Sequence, residues 1–184
     1  MLKFRGFTLP ELMVVVAIMG ILAAVALPSF KGLIQSNTIS SSVNIFMADL
    51  RYARSESIKR GGGVVMCRSD APEAANPKCS SGSDRGWASG WIIFHDLDNS
   101  GNRKKGETTL RVQGPISTID TITSANDIAI FKFTATGRLP NLSSGATSIQ
   151  FGSNRNYTNE VQRTVCVSVG GRARVAGAGS VGCT

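Results

Sequence analysis

Histidine and acidic residues are scarce in this chain. His95 is the only histidine, and 12 Asp and Glu residues stand against 20 Lys and Arg residues, which gives a net charge of +8 at pH 7. A serine or cysteine hydrolase needs a histidine beside its nucleophile, and no Ser or Cys stands at a suitable spacing from His95. We therefore expect no enzymatic activity.

Aromatic residues are also few, at 7% of the chain. We expect the two tryptophans, Trp87 and Trp91, to anchor the core or a loop rather than to form a surface that stacks nucleic-acid bases. The sequence contains no long internal repeat. Its 184 residues are expected to form one domain plus a membrane element.

Charge is almost absent from one stretch near the start. Residues 7–27 number 21 and carry a single charge, on Glu11. As a helix this stretch would be roughly 30 Å long, enough to cross a bilayer core. Lys3 and Arg5 precede it, so we expect a single pass with the N-terminus in the cytoplasm and the rest outside. A signal peptide cleaved near residues 24–26 is the alternative, but it has no use for the Glu11 carboxylate.

The four cysteines, Cys67, Cys79, Cys166 and Cys183, would then lie in an oxidising compartment, where disulfides persist. Zinc is the alternative, but the spacings lack close C-x-x-C pairs and the chain has a single histidine. Four cysteines allow three pairings. We favour Cys67 with Cys79 and Cys166 with Cys183, because each pair closes a short loop.

Helical periodicity continues beyond Pro28. Apolar residues recur every three or four positions, with charged residues on the opposite face. The polar stretch Ser36–Ser42 indicates a weaker turn. Glycines at 61–63 end the helix, because glycine has little helix propensity. We predict one helix over residues 7–60, with its second half packed on the rest of the chain.

Residues 61–184 are predicted to form a sheet domain. Gly170-Gly171 is the signal of a two-residue hairpin. A long helix followed by a mostly antiparallel sheet is an α+β fold. The predicted strands are β-type runs at residues 64–67, 91–94, 109–112, 128–134, 149–151, 164–169 and 172–175.

The N-terminal sequence Gly6-Phe7-Thr8-Leu9-Pro10-Glu11-Leu12 resembles the signature of type IV pilins and type II secretion pseudopilins. The resemblance implies that prepilin peptidase removes a leader of residues 1–6 by cutting between Gly6 and Phe7, and that Phe7 is then N-methylated. It also implies that Glu11 pairs with the N-terminal amine of a neighbouring subunit during assembly, after residence in the inner membrane. A buried carboxylate needs such a positive partner.

Later segments resemble the GspH/FimT family of minor pilins and pseudopilins. This resemblance covers nearly the whole chain and implies a low-abundance, non-catalytic subunit near the filament tip, without a cofactor, whose partners are other major and minor pilins. The segments are Gly86-Trp87, Gly90–Asp96, Phe133–Arg138 and Val167–Arg174.

A basic element stands near the C-terminus. Arg172 and Arg174 are two residues apart on a predicted strand, so they would share one face, with Ala173 and Val175 toward the sheet. The turn at Gly171 would let a partner approach closely. Paired guanidiniums suit phosphates whatever the base sequence. Further arginines that could extend this surface are Arg138, Arg155 and Arg163.

This element, Gly171-Arg172-Ala173-Arg174, also resembles the Gly-Arg-x-Arg end of FimT-type minor pilins, which take part in DNA uptake during natural transformation. We therefore predict non-specific binding of extracellular DNA through its phosphate backbone. At the level of the residues, the alternative is a solvated strand edge guarded by charge. The alternative function is structural: a minor pilin or type II secretion pseudopilin that primes filament assembly.

A second candidate site has the spacing of an EF-hand calcium loop. Asp96, Asp98 and Ser100 offer oxygens at alternate positions, a glycine follows, and Glu107 would complete the shell. Basic residues at 103–105 would repel a cation, and the loop lies between strands rather than helices. The alternative, a polar hairpin loop with Asx turns, is favoured.

Overall fold

The computed structural model describes residues 8–80, 84–142, 145–152, 157–177 and 182–183 of the chain, with the side chains of 25–29 and 31 left aside. Its first element, α1, spans Leu9–Arg60. Thr8 and Glu11 form a capping box at its start, so polar groups of the first turn satisfy each other. Gly61, with φ of 75°, ends the helix in the left-handed conformation that glycine adopts without strain.

Helix α1 is continuous through Pro28 and through Ser36–Ser42. The weaker turn predicted in the serine-rich stretch is therefore wrong. The Ser42 hydroxyl donates to the Thr38 carbonyl oxygen at 2.9 Å, which satisfies this polar group inside the helix. Ile39 beside it is fully buried, so tertiary packing also holds this turn.

The first half of α1 exposes apolar side chains such as Leu12, Val16 and Leu22. Among the residues that the structure describes, no helical stretch combines the length and the apolar character needed to cross a bilayer.

The second half of α1 supplies one side of the core. Val43, Phe46 and Leu50 are buried, at the helical spacing that the sequence predicted. The Phe46 ring meets Trp87 and Trp91 edge-on, with centroids 5.3 and 5.2 Å away. Both tryptophans are fully buried, which confirms that they are core residues.

Within the described residues, the chain after α1 forms two four-stranded antiparallel sheets, with strand orders β3-β2-β1-β5 and β4-β6-β7-β8. The fold is therefore α+β, as predicted, although the sequence indicated a single sheet. The strands are β1 (Val64–Arg68), β2 (Trp91–His95), β3 (Thr109–Gln113), β4 (Ile122–Ser124), β5 (Ile130–Phe133), β6 (Ala146–Phe151), β7 (Arg163–Ser168) and β8 (Ala173–Val175).

Strands β4 and β6 are two of those that depart from the prediction. The sequence missed β4, because its three residues bury only Ile122 and depend on pairing with β6. Strand β6 begins at Ala146, ahead of the predicted Ile149, because Ala146-Thr147-Ser148 lacks bulky apolar side chains although Thr147 is buried.

Arg68 follows the first predicted strand, residues 64–67, but in the structure it is the last residue of β1 and is 3% exposed. Its guanidinium forms an ion pair with Asp127 at 3.2 Å, which compensates the buried charge. Two disulfides, Cys67–Cys79 and Cys166–Cys183, hold the following loop and the C-terminal tail, in the pairing favoured from loop length.

Candidate nucleic-acid interface

The turn between β7 and β8 carries the predicted arginine pair. Ser168 N–H donates to the Arg172 carbonyl oxygen at 2.9 Å, and Gly171 N–H donates to that of Ser168 at 2.8 Å. The loop between these closing residues therefore has three residues, 169–171, and the predicted two-residue hairpin is wrong. Val169 leaves the β7–β8 pairing because it donates to Gly145 and accepts from Leu139, both at 2.8 Å.

Two glycines let this turn approach the rest of the domain. A Cβ on Gly171 would lie 2.0 Å from the Gly137 carbonyl oxygen, and Gly171 has φ of 70°. A Cβ on Gly137 would lie 2.8 Å from Cγ of Arg54 on α1. The turn, the hairpin of residues 134–138 and α1 therefore meet at a point where only glycine fits.

A cleft of about 330 Å³ lies between α1 and this turn. We call it the arginine cleft. Side chains on one face of α1 form one wall, and the turn together with the start of β8 forms the other. No carboxylate lines it among the described residues, so its three arginines have no counter-charge in its walls. Its lining residues are Arg51, Arg54, Ser55, Ile58, Gly171, Arg172 and Ala173.

Like charges around one cleft repel one another, and an anion in the cleft would relieve that repulsion. Arg51 and Arg172 are exposed, whereas Arg54 is half-buried. Arg54 is held in place because its Nη1 donates to the Gly171 carbonyl oxygen at 3.4 Å. The guanidinium fork suits a phosphate geometrically as well as electrostatically.

The structure separates the predicted arginines. Arg172 lines the cleft, and Arg174 lies exposed on β8 opposite Cys166. Arg138 is exposed beside Gly137. Arg163 pairs with Phe151 at the far end of β7, where its Nη1 donates to the Glu160 and Gln162 carbonyl oxygens at 2.6 and 2.9 Å. Arg163 is therefore not part of the cleft.

Five other predicted positions need comment. Arg155 lies outside the described residues, as do Gly6 and Phe7 at the predicted processing site. Glu11 is in the first turn of α1. Val175 was expected to face the sheet, but it is 43% exposed because β8 is an edge strand with nothing beyond it to cover that side chain among the described residues.

Arg51 and Arg54 were not among the predicted site residues. Their spacing of three on the polar face of a helix was visible in the sequence and places them side by side. Their approach to Arg172 was not visible, because it depends on the turn lying over α1.

The calcium-like loop brings carboxylate oxygens of Asp96, Asp98 and Glu107 within 4.8 Å of one another. The loop itself already uses those oxygens. Both oxygens of Asp96 accept backbone N–H groups, from Ser100 at 3.1 Å and Gly101 at 2.7 Å. Glu107 accepts from Leu97 at 2.9 Å and from Lys104 at 2.8 Å.

The charges in this loop also favour a structural loop over a calcium site. The Lys104 ammonium pairs with Asp98 and lowers the pKa of that carboxyl group. Burial raises the pKa of Asp96. The Ser100 hydroxyl donates to the Asn102 carbonyl oxygen at 3.1 Å. Internal hydrogen bonds and a lysine thus account for the acidic cluster as a structural loop.

A long helix packed on antiparallel sheets is the architecture of type IV pilin-like proteins. Residues 42–171 match the family described as Type II transport protein GspH, and residues 1–27 match the Prokaryotic N-terminal methylation motif. The chain belongs to the GspH family of minor pilin- and pseudopilin-like proteins, which are filament subunits and not enzymes.

Individual proteins agree with this assignment. A fimbrial protein of Pseudomonas aeruginosa is 31% identical over 126 residues, which cover 68% of this chain and 73% of that protein. Fimbrial protein EcpB of Eikenella corrodens is 44% identical over 66 residues, 35% of this chain and 39% of the relative. The crystal structure of the type IV minor pilin FimU of Pseudomonas aeruginosa has a similar fold, with a TM-score of 0.58 and 19% identity over 78% of this chain and 92% of FimU.

Proposed function

We propose that this chain is a minor type IV pilin that binds extracellular DNA without base specificity, for uptake in natural transformation. The observation that carries the proposal is the arginine cleft. It places exposed Arg172 in one cleft with Arg51 and Arg54, and no carboxylate lines it among the described residues. Such a site attracts an anion of high charge density.

Phosphate contacts are the form of DNA recognition that this surface suits. Guanidinium groups bind phosphate oxygens in a fork and carry no information about the base. Trp87 and Trp91, the two tryptophans of the chain, are fully buried, so they form no platform for stacking bases. Arg174 and Arg138, both exposed near the same turn, add positive charge beside the cleft.

The processing pathway is part of the proposal. Prepilin peptidase cuts between Gly6 and Phe7, Phe7 is methylated, and residues 7–27 hold the chain in the inner membrane with the N-terminus in the cytoplasm. Glu11 then pairs with the terminal amine of a neighbouring pilin as the subunit enters the filament near its tip. Retraction of the filament would bring bound DNA inward.

A second candidate function is purely structural. The match to the family described as Type II transport protein GspH favours a subunit of a secretion pseudopilus or a minor pilin that primes assembly. In that case the cleft would contact a neighbouring subunit, and the chain alone would have no DNA affinity above that of any basic protein.

The test is DNA binding by the full chain, kept in neutral detergent because the first half of α1 exposes apolar side chains. Affinity for a random-sequence duplex would be measured by fluorescence anisotropy at several salt concentrations. The key variant is Arg172→Ala/Arg174→Ala. The matched control is Lys78→Ala/Lys105→Ala, which removes the same charge from two exposed loop positions away from the cleft.

We expect tight binding at low salt that weakens as salt rises, because bound phosphates release counterions. The arginine variant should lose most of the affinity, whereas the lysine control should retain it. Circular dichroism would establish that both variants fold. Absence of binding, or equal losses in the two variants, would contradict the proposal and leave the structural function.

A further inference from the structure

A second cleft opens at the C-terminal end of α1, beside the glycines that end the helix. Its volume is about 570 Å³. We call it the helix-end cleft. Three ionisable nitrogen-bearing side chains line it, from α1, β2 and β5, together with polar side chains that can donate hydrogen bonds. These residues are Arg60, His95, Lys132, Asn99 and Thr134.

The acidic groups near this cleft are already engaged. Asp96 also lines it, but this side chain is 3% exposed and its oxygens accept the Ser100 and Gly101 N–H groups. Glu56 on α1 is shared between Lys59 and Arg60, each at 3.0 Å, so two cations face one carboxylate. Among the residues that line the cleft, Arg60 and Lys132 are positively charged and Asp96 is negatively charged, so the lining has a net charge of +1 with His95 neutral.

The two clefts are separated by the hairpin of residues 134–138. Thr134 lines the helix-end cleft, and the Ala135 nitrogen lies 3.2 Å from the position of a Cβ on Gly62 in the wall of that cleft. On its other side, Gly137 packs against Arg54 and Ile58, which line the arginine cleft. Exposed Arg138 lies at the end of the same hairpin.

We infer that the helix-end cleft binds a second backbone phosphate of the same DNA molecule, so that the duplex lies across the hairpin from Arg172 to Lys132. This inference rests on the proposed function. Duplex DNA carries one charge per about 1.7 Å of its axis, so phosphates are available to both clefts in any register. Phe133, the aromatic residue in this cleft, is 3% exposed, so the cleft recognises phosphate and not a base.

The experiment compares Lys132→Gln with Lys105→Gln in the full chain in detergent, using the same random-sequence duplex. Both variants remove one ammonium group and keep a polar side chain. For Lys132→Gln, the slope of log affinity against log salt should fall by about 0.9, the value of one lost phosphate contact. Lys105→Gln should bind like the unmodified chain, and Lys132→Arg should retain the full slope.

A second measurement asks whether one DNA molecule occupies both clefts. With two differently labelled duplexes, a chain whose clefts bind separate molecules would bridge them, whereas one duplex across the hairpin gives no bridging. Bridging would overturn the inference. So would identical salt slopes for Lys132→Gln and Lys105→Gln.

These outcomes are distinct from failure of the proposed function. If the unmodified chain does not bind DNA, the proposed function fails and the inference fails with it. If binding depends on Arg172 and Arg174 but not on Lys132, only the inference is overturned. Loss of filament incorporation by Lys132→Gln, with DNA binding unchanged, would likewise overturn it and assign the helix-end cleft to a contact with another pilin.

Discussion

Arg54 of the long helix donates a hydrogen bond from Nη1 to the carbonyl oxygen of Gly171, at 3.4 Å and across 117 positions of sequence. This contact fixes the β7–β8 turn against α1, and it aims one guanidinium at the cleft that Arg172 also lines. The geometry of the candidate site thus depends on helix and turn together.

Gly171→Ala should disrupt both stability and DNA binding. A Cβ there would lie 2.0 Å from the Gly137 carbonyl oxygen, and the left-handed backbone alone costs about 1–2 kcal/mol for a residue with a side chain. Gly170→Ala is the matched control, because its Cβ would meet only the Ser168 hydroxyl at 3.6 Å. Urea denaturation would measure both variants. Equal stability of the two would show that the close approach at Gly171 does not exist.

Arg51→Gln should weaken DNA binding without destabilising the fold. Arg51 is exposed on α1 and lines the arginine cleft, so its loss removes a phosphate contact but no core packing. We expect the salt slope to fall by about 0.9, with an unchanged melting temperature. Arg51→Lys should keep most of the slope, since it keeps the charge. A slope that does not change in Arg51→Gln would exclude this helix face from the interface.

Asp49→Asn should change how stability varies with pH. Asp49 is 1% exposed; its Oδ2 accepts the Trp91 indole N–H at 2.8 Å, and its Oδ1 is 3.0 Å from Nε of Arg111. Burial raises the pKa of Asp49 above its ordinary value of 3.8, although Trp91 and Arg111 act in the opposite direction. The folded state therefore holds this proton more tightly than the unfolded state does.

The sign follows from proton linkage. The stabilisation by protonated Asp49 is fully present below pH 3.8 and is lost as the pH rises through its raised pKa. Asp49→Asn should remove this decline, measured as the urea midpoint over a pH series. Asp98→Asn is a control of opposite sign, because Lys104 lowers the pKa of Asp98 and its contribution is lost as the pH falls. A decline that persists in Asp49→Asn would assign it to another group.

Cys166→Ser/Cys183→Ser should destabilise the domain by about 2–4 kcal/mol, because the unfolded chain regains the conformational freedom that the disulfide-closed loop had removed. The bond joins residues 17 positions apart, and the loop it closes contains β8 with Arg172 and Arg174. Thermal melting of the variant and of the disulfide-bonded chain would measure the difference. Equal melting temperatures would indicate that pairing of β8 with β7 alone holds this segment.

Local patterns in the sequence predicted most of the fold. The apolar repeat of α1 placed Phe46 and Leu50 in the core, and the end of the helix at the glycines was predicted correctly. Strand β4 could not be predicted, because three residues carry too little pattern and depend on pairing with β6. The buried position of Arg68 could not be predicted either, because its partner Asp127 lies far along the chain.

The candidate site could likewise be predicted from the sequence only in part. The alternation of residues 172–175 indicated that Arg172 and Arg174 share a face, but Arg172 lies in the turn before β8 and lines the arginine cleft, whereas Arg174 does not. Arg51 and Arg54 were visible only as polar residues of a helix, because nothing local shows which segment crosses that face. Two glycines in distant segments, Gly137 and Gly171, make the crossing possible, and their contact can be read only from the folded chain.

The continuity of α1 has a mechanical consequence for the proposed uptake of DNA. A retracting filament would pull on the subunit through its N-terminal half, while the DNA would resist at Arg51, Arg54 and Arg172. Because α1 is unbroken from Leu9 to Arg60, most of that tension would run along the axis of one helix. Strand β8, a short edge strand of three residues, would carry only the part transmitted through Arg172 and Arg174.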